Sequence, residues 1–134
     1  MFARKTPFID PVIANELNTE LNEHEMAVLT SLGTLIDLPA HEVFVTEGQV
    51  GREAAVIVTG SAHVLRDGDN IAEVGPGTIV GENALLTNNP RNASLMTTSP
   101  TTLAVLNPRE FYSFLDRCPR IAARVDDLLA TRNP

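Results

Sequence analysis

Chemistry is densest in one short stretch, Val80 to Ser94, "VGENALLTNNPRNAS". Gly81 opens what reads as a single helical turn, "ENALL". A helix start presents N–H groups without intrahelical partners and a partial positive charge, and a glycine just before it lets an anion approach the backbone. Arg91, one loop further on and stiffened by Pro90, adds a planar donor fork with a permanent charge. These two halves make a phosphate site. Glu82 would repel a phosphate unless its carboxylate is aimed at a neighbouring hydroxyl, as an acidic residue reaches a ribose in dinucleotide sites. Phosphate and sugar hydroxyl gripped within one segment describe a compactly held nucleotide. Taken singly, Arg91 reads as a surface arginine and Glu82 as an acid favoured by the helix dipole, and only their joint occurrence points to a ligand.

The rest of the composition limits what such a site can belong to. The 134 residues carry a formal net charge of −7 and are 43% hydrophobic, enough for one compact domain with its own core. A chain this acidic is a poor general binder of nucleic acid, whose affinity comes mainly from lysine and arginine neutralising phosphates. An anionic ligand must therefore be held by local positive charge and oriented N–H groups. No run approaches the roughly 20 apolar residues of a membrane-spanning helix, and "MFARKTPFID" lacks the apolar core of a secretory signal, so the expectation is a cytoplasmic protein without membrane contact. The single cysteine, Cys118, reads as a packing residue.

Helical signals come first along the chain. Asp10 and Pro11 make an N-cap and first-turn pair ahead of Ile13, Leu17 and Leu21. Asn22 and Glu25 then have capping-box spacing, Leu21 and Met26 that of a hydrophobic staple, and Gly33 is placed to end the second helix. From about Leu35 to Leu106 short apolar runs alternate with turn residues. Seven of the eight glycines fall between Gly48 and Gly81, and Asp67-Gly68 is the clearest hairpin turn. Asn107, Pro108 and Glu110 cap a further helix with Phe111, Phe114 and Leu115 on one face. Pro119 starts the last helix, with Ile121, Val125, Leu128 and Leu129 on its apolar side. Residues 1–33 are thus expected to be helical, 34–106 a β barrel carrying the segment 80–94, and 107–134 helical, all one domain.

The run Gly81-Glu82-x-Ala84-Leu85-Leu86, followed by Pro90-Arg91-x-Ala93-Ser94, closely resembles the phosphate-binding cassette of cyclic-nucleotide-binding domains. Catabolite activator protein and the regulatory subunits of cyclic-AMP-dependent kinase carry such domains. The resemblance extends over about Leu32 to Leu129 and includes "HEVFVTEGQVG", "VIVTGSAHVLRDGDNIAEVGPG" and "LAVLNPREF". It implies a mainly β fold with flanking helices, a double-stranded β-helix or jelly-roll barrel. It also implies that Arg91 pairs with the cyclic phosphate, that Glu82 accepts from the ribose 2′-hydroxyl, and that backbone N–H groups of Ala84 and Asn92 complete the cradle. Gly81 allows the tight turn, and Val80 neighbours the base. Two positions depart from the family pattern: Val80 stands where phenylalanine is usual, and Asn83 where an aliphatic residue is usual.

The function expected is a cyclic-nucleotide receptor, with cyclic AMP as ligand ahead of cyclic GMP, reporting occupancy through its C-terminal helices. No catalytic group, metal or further cofactor is assigned. Two rivals are carried beside it: a non-binding interaction scaffold on the same fold, and a metal-dependent enzyme of the cupin type. His24, His41 and His63 have no metal-ligand spacing, which disfavours the second. A protein effector or a parent domain is the expected partner, and the oligomeric state is left between a monomer and a weak homodimer.

Overall fold

The computed structural model describes residues 21–49, 52–80 and 93–132, with side chains as far as Asp126. The helix expected from Asp10 lies outside these residues, as do Gly81, Glu82, Ala84, Arg91 and Asn92.

Helix α1, Glu23–Leu32, starts at the capping box read from the sequence. Asn22 Oδ1 accepts the Glu25 N–H at 2.8 Å, and Glu25 Oε1 accepts the Asn22 N–H at 3.0 Å. Gly33 ends the helix, its N–H donating to the Leu29 carbonyl at 2.9 Å, but in an extended conformation instead of the left-handed one a glycine cap usually adopts. Its lack of a side chain serves packing here. A Cβ at Gly33 would lie 3.1 Å from both Leu106 Cδ2 and the Val105 carbonyl oxygen.

Eight strands follow: β1 Thr34–Leu38, β2 Val43–Val45, β3 Ala54–Thr59, β4 Ala62–Arg66, β5 Asp69–Val74, β6 Ile79–Val80, β7 Ser94–Thr97 and β8 Thr101–Leu106. They form two four-stranded antiparallel sheets, ordered β1-β8-β3-β6 and β2-β7-β4-β5. The chain crosses repeatedly from one sheet to the other, the jelly-roll arrangement expected. Asp67 and Gly68, at φ 53° and 86°, make the β4–β5 hairpin turn, both in the left-handed region that such a two-residue turn requires. Gly60, at φ 98°, is tied to its place by the neighbouring turn, since a Cβ there would sit 2.4 Å from Thr101 Oγ1.

Helix α2, Pro108–Arg117, begins at the second predicted capping box, with Asn107 and Glu110 exchanging 2.8 Å bonds and proline at its start. It breaks at Cys118, and α3, Pro119–Arg132, continues from there.

Two cores result. Strands β3 and β8 are buried on both faces, which explains why "AAVIV" and "LAVL" read as unbroken apolar runs. On one face Ala54, Val56, Ala104 and Leu106 pack against Val28 and Leu29 of α1, Phe111 and Phe114 of α2, Cys118, and Ile121 and Val125 of α3. On the other, Ala55, Ile57 and Leu103 meet Ala62, Val64, Val74, Val80, Ala93 and Leu95 between the sheets. Burial pushes the Cys118 thiol up, which keeps it protonated and unreactive, as its packing role requires.

Candidate functional site

Strand register fixes where the chemistry-bearing segment joins the barrel. Val80 pairs with Ala55 at the start of β3, and Ala54 pairs with Leu106 at the end of β8. Thr34, at the start of β1, pairs with Val105. In the facing sheet Leu65 pairs with Ser94, and Val45 with Leu95. Val80 and Ala93, the residues flanking 81–92, are both buried in the core between the sheets. Val80 ends β6 in one sheet and Ala93 immediately precedes β7 in the other, so the segment is anchored in the core between the two sheets.

A cavity of about 390 Å³ penetrates the barrel here. Its walls are apolar, formed chiefly by Leu38, Phe44, Val45, Ala55, Val80 and Leu103, while Thr34, Glu53, Asn107 and Glu110 supply its polar part. Volume and lining both fall within the usual range for small-molecule sites, roughly 300–1,000 Å³ with few polar groups. Small side chains create the room. Ala55 and Val80 face each other across the β3–β6 pair, and valine at position 80 leaves space that a phenylalanine would fill. Val80, predicted as a neighbour of the base, is thus a wall residue of this cavity.

The electrostatics divide the site. The cavity is lined by two carboxylates, Glu53 and Glu110, and by no lysine or arginine among the described residues. The described lining offers apolar surface and no cation for a phosphate. Glu110 is also structurally engaged, because its Oε1 accepts the Asn107 N–H in the α2 cap.

The histidines of the metal reading fall in different places: His24 on α1, His41 at φ 67° between β1 and β2, and His63 on β4 beside Glu73 and Met96. Among the described residues no three His, Cys, Asp or Glu side chains form a group that could hold a metal ion.

One polar contact went unanticipated in the sequence. Arg120, in the first turn of α3, donates from Nε to Glu25 Oε2 at 3.0 Å and from Nη2 to Glu25 Oε1, a two-point grip on the carboxylate that caps α1. The Arg120 guanidinium holds the Glu25 carboxyl below its ordinary range against the opposing effect of burial, and the bond to Glu25 raises the arginine in turn. Arginine in a first turn is disfavoured by the helix dipole, and that oddity was the available signal.

Similarity to known proteins fits this architecture. The chain is 33% identical over 118 residues to the Pycsar effector protein XpPycTIR of Xanthomonas perforans, covering 84% of this chain and 39% of that relative. It is 32% identical over 74 residues to a cAMP-dependent protein kinase regulatory subunit of Yarrowia lipolytica, covering 55% of this chain and 20% of that protein. The chain therefore spans well under half the length of these curated relatives. Among solved structures, Thermus thermophilus catabolite activator protein superposes with a TM-score of 0.71 at 25% identity, over 87% of this chain and 57% of that one. A cyclic nucleotide-binding domain from Methylobacillus flagellatus gives a TM-score of 0.65 at 28% identity, over 90% and 73%. The family model described as "Cyclic nucleotide-binding domain" matches residues 35–118, from β1 through the break between α2 and α3, and the chain belongs to that family.

Proposed function

We propose that this domain is a cyclic-nucleotide receptor, with cyclic AMP the preferred ligand, in which the segment 80–94 holds the sugar and phosphate. Arg91 neutralises the cyclic phosphate, backbone N–H groups of Ala84 and Asn92 complete its cradle, Glu82 accepts from the ribose 2′-hydroxyl, and Gly81 permits the turn between them. The base occupies apolar space inside the barrel against Val80. The observation that carries this reading is the pairing of the cassette sequence with two buried flanking residues, Val80 and Ala93, of which Val80 lines a cavity whose described walls are largely apolar and suit a base. Charge is thereby separated: the anionic end of the ligand goes to Arg91, and its uncharged end goes inward.

Occupancy is reported by α2 and α3. The break at Cys118 gives them a joint, and Ile121 and Val125 attach α3 to the same strands that bear the site on their other face. Because the curated relatives are longer than this chain, the reading extends to an effector, attached or docked, as recipient of the signal.

Calorimetric titration of metal-free protein with cyclic AMP and cyclic GMP tests the proposal. Saturable binding at one site per chain is expected, tighter for cyclic AMP. Arg91→Ala should cost about 2–5 kcal/mol of affinity, because it removes the partner of a desolvated charge. Absence of binding to either nucleotide would overturn the receptor reading in favour of its rivals.

A further inference from the structure

The Glu25–Arg120 pair joins two elements at opposite ends of the described chain, and its construction suits it to transmit motion. One carboxylate holds two things at once. Glu25 is buried, its side chain only 4% exposed, and it accepts the Asn22 N–H of the α1 cap and both donor arms of Arg120. The arginine side chain is 49% exposed, so it approaches from the solvent side and can be exchanged without opening a hole in the core. Arg120 lies just past the Cys118 break, in the first turn of the helix that starts there. A displacement of α3 about that break must therefore either carry Glu25, and the start of α1 with it, or strand a buried carboxylate without its cation. Stranding is costly for a desolvated charge. Carrying is the easier path, because the bidentate fork tolerates little change in relative orientation before both bonds are lost.

We propose that Glu25 and Arg120 form a mechanical link that makes the N-terminal turn of α1 follow the first turn of α3. The domain then presents its ligand state at α1 as well as at its C-terminal helices. The inference rests on the receptor reading above for the origin of the motion, while the link itself is a property of the pair.

Pulsed electron–electron spin distances test it in the full chain. One label pair, at Ala27→Cys and Glu73→Cys, reads α1 against the barrel. A second, at Arg124→Cys and Glu73→Cys, reads α3, and all three positions used are exposed. With saturating cyclic AMP or cyclic GMP, both distances shift in the protein that carries Arg120. In Arg120→Gln the α3 distance still shifts and the α1 distance does not. An α1 shift that survives Arg120→Gln, or an α1 distance that stays fixed while α3 moves in the parent protein, overturns the link. Hydrogen exchange without nucleotide tests the pair independently of the receptor reading. Arg120→Gln should accelerate exchange roughly tenfold at the start of α1 as well as in the first turn of α3. Glu25→Gln, which keeps an oxygen for the Asn22 N–H, should do the same. Acceleration confined to α3 overturns the link whatever the titrations give, and a failure to bind nucleotide shows in calorimetry alone.

Discussion

Strands β3 and β8 are covered on both sides, yet the two sides are filled differently. Toward the helices, Val56, Ala104 and Leu106 meet Phe111, Phe114, Cys118 and Ile121, all essentially without solvent exposure. Toward the facing sheet, Ala55, Leu103 and Val105 border a cavity of about 390 Å³. The first side is filled by helix side chains, whereas the second, though buried over much of its length, borders a cavity. One pair of strands thus serves as scaffold on one face and as site wall on the other, alternation along each strand dividing the two roles, with Ala54 at the edge contributing to both.

The largest expected effect that would break this contrast falls on the helix side. Phe114→Ala should cost about 3–5 kcal/mol of stability in urea unfolding, the usual loss for a buried phenylalanine in a site that cannot collapse. A loss under about 1 kcal/mol would mean that this face is not rigidly packed. Matched small-to-large substitutions on the two faces sharpen the comparison further. Ala104→Leu, with no exposure and facing the helices, should destabilise by about 1–3 kcal/mol through overpacking. Ala55→Leu, facing the cavity, should cost clearly less, and by the receptor reading should weaken nucleotide binding, since the added side chain fills space that a ligand would use. Equal losses from the two substitutions would remove the distinction.

A smaller effect concerns Thr78, which is fully buried and whose hydroxyl has no hydrogen-bond partner. Thr78→Val removes an unsatisfied polar group at nearly constant shape and should raise stability by about 1 kcal/mol in thermal unfolding. A loss instead would reveal that the hydroxyl is satisfied by water.

The last prediction concerns pH. Glu25 has a folded-state pKa below its ordinary value of 4.5, chiefly through Arg120, so the unfolded chain binds its proton more readily. The stabilisation is complete above that ordinary value and is lost as pH falls through the lower folded value. Urea unfolding followed from about pH 6 down to about pH 3 should show stability falling with acidification. The fall should be shallower in Arg120→Gln, and an unchanged slope would show that the pair does not set the titration.

Much of this fold was legible because its signals are local. Both capping boxes, at Asn22 and Asn107, are spacings of three residues, and Asp67-Gly68 declares its turn by the backbone angles those residue types allow. The cassette was legible for the same reason, since its donors lie within one segment. Gly33 shows the limit of such reading. Its position at the helix end was local information, but its reason was not, because it is imposed by Leu106 and Val105 from a strand far along the chain.

What the sequence by itself determined is therefore the locally signalled features, the two capping boxes, the Asp67-Gly68 turn and the change from helical to strand patterning and back, and it supplied the grouping of Gly81, Glu82 and Arg91 on which the proposed site rests. The tertiary structure decided which face of β3 and β8 packs against helices and which borders a cavity, that Val80 and Ala93 meet in the core between the sheets, and that Arg120 meets Glu25. Those outcomes depend on contacts between residues distant in the chain, where the energy of a position is set by what packs against it and not by its neighbours in sequence. An arginine at the start of a helix gives no hint of its partner until the fold brings a buried carboxylate within reach.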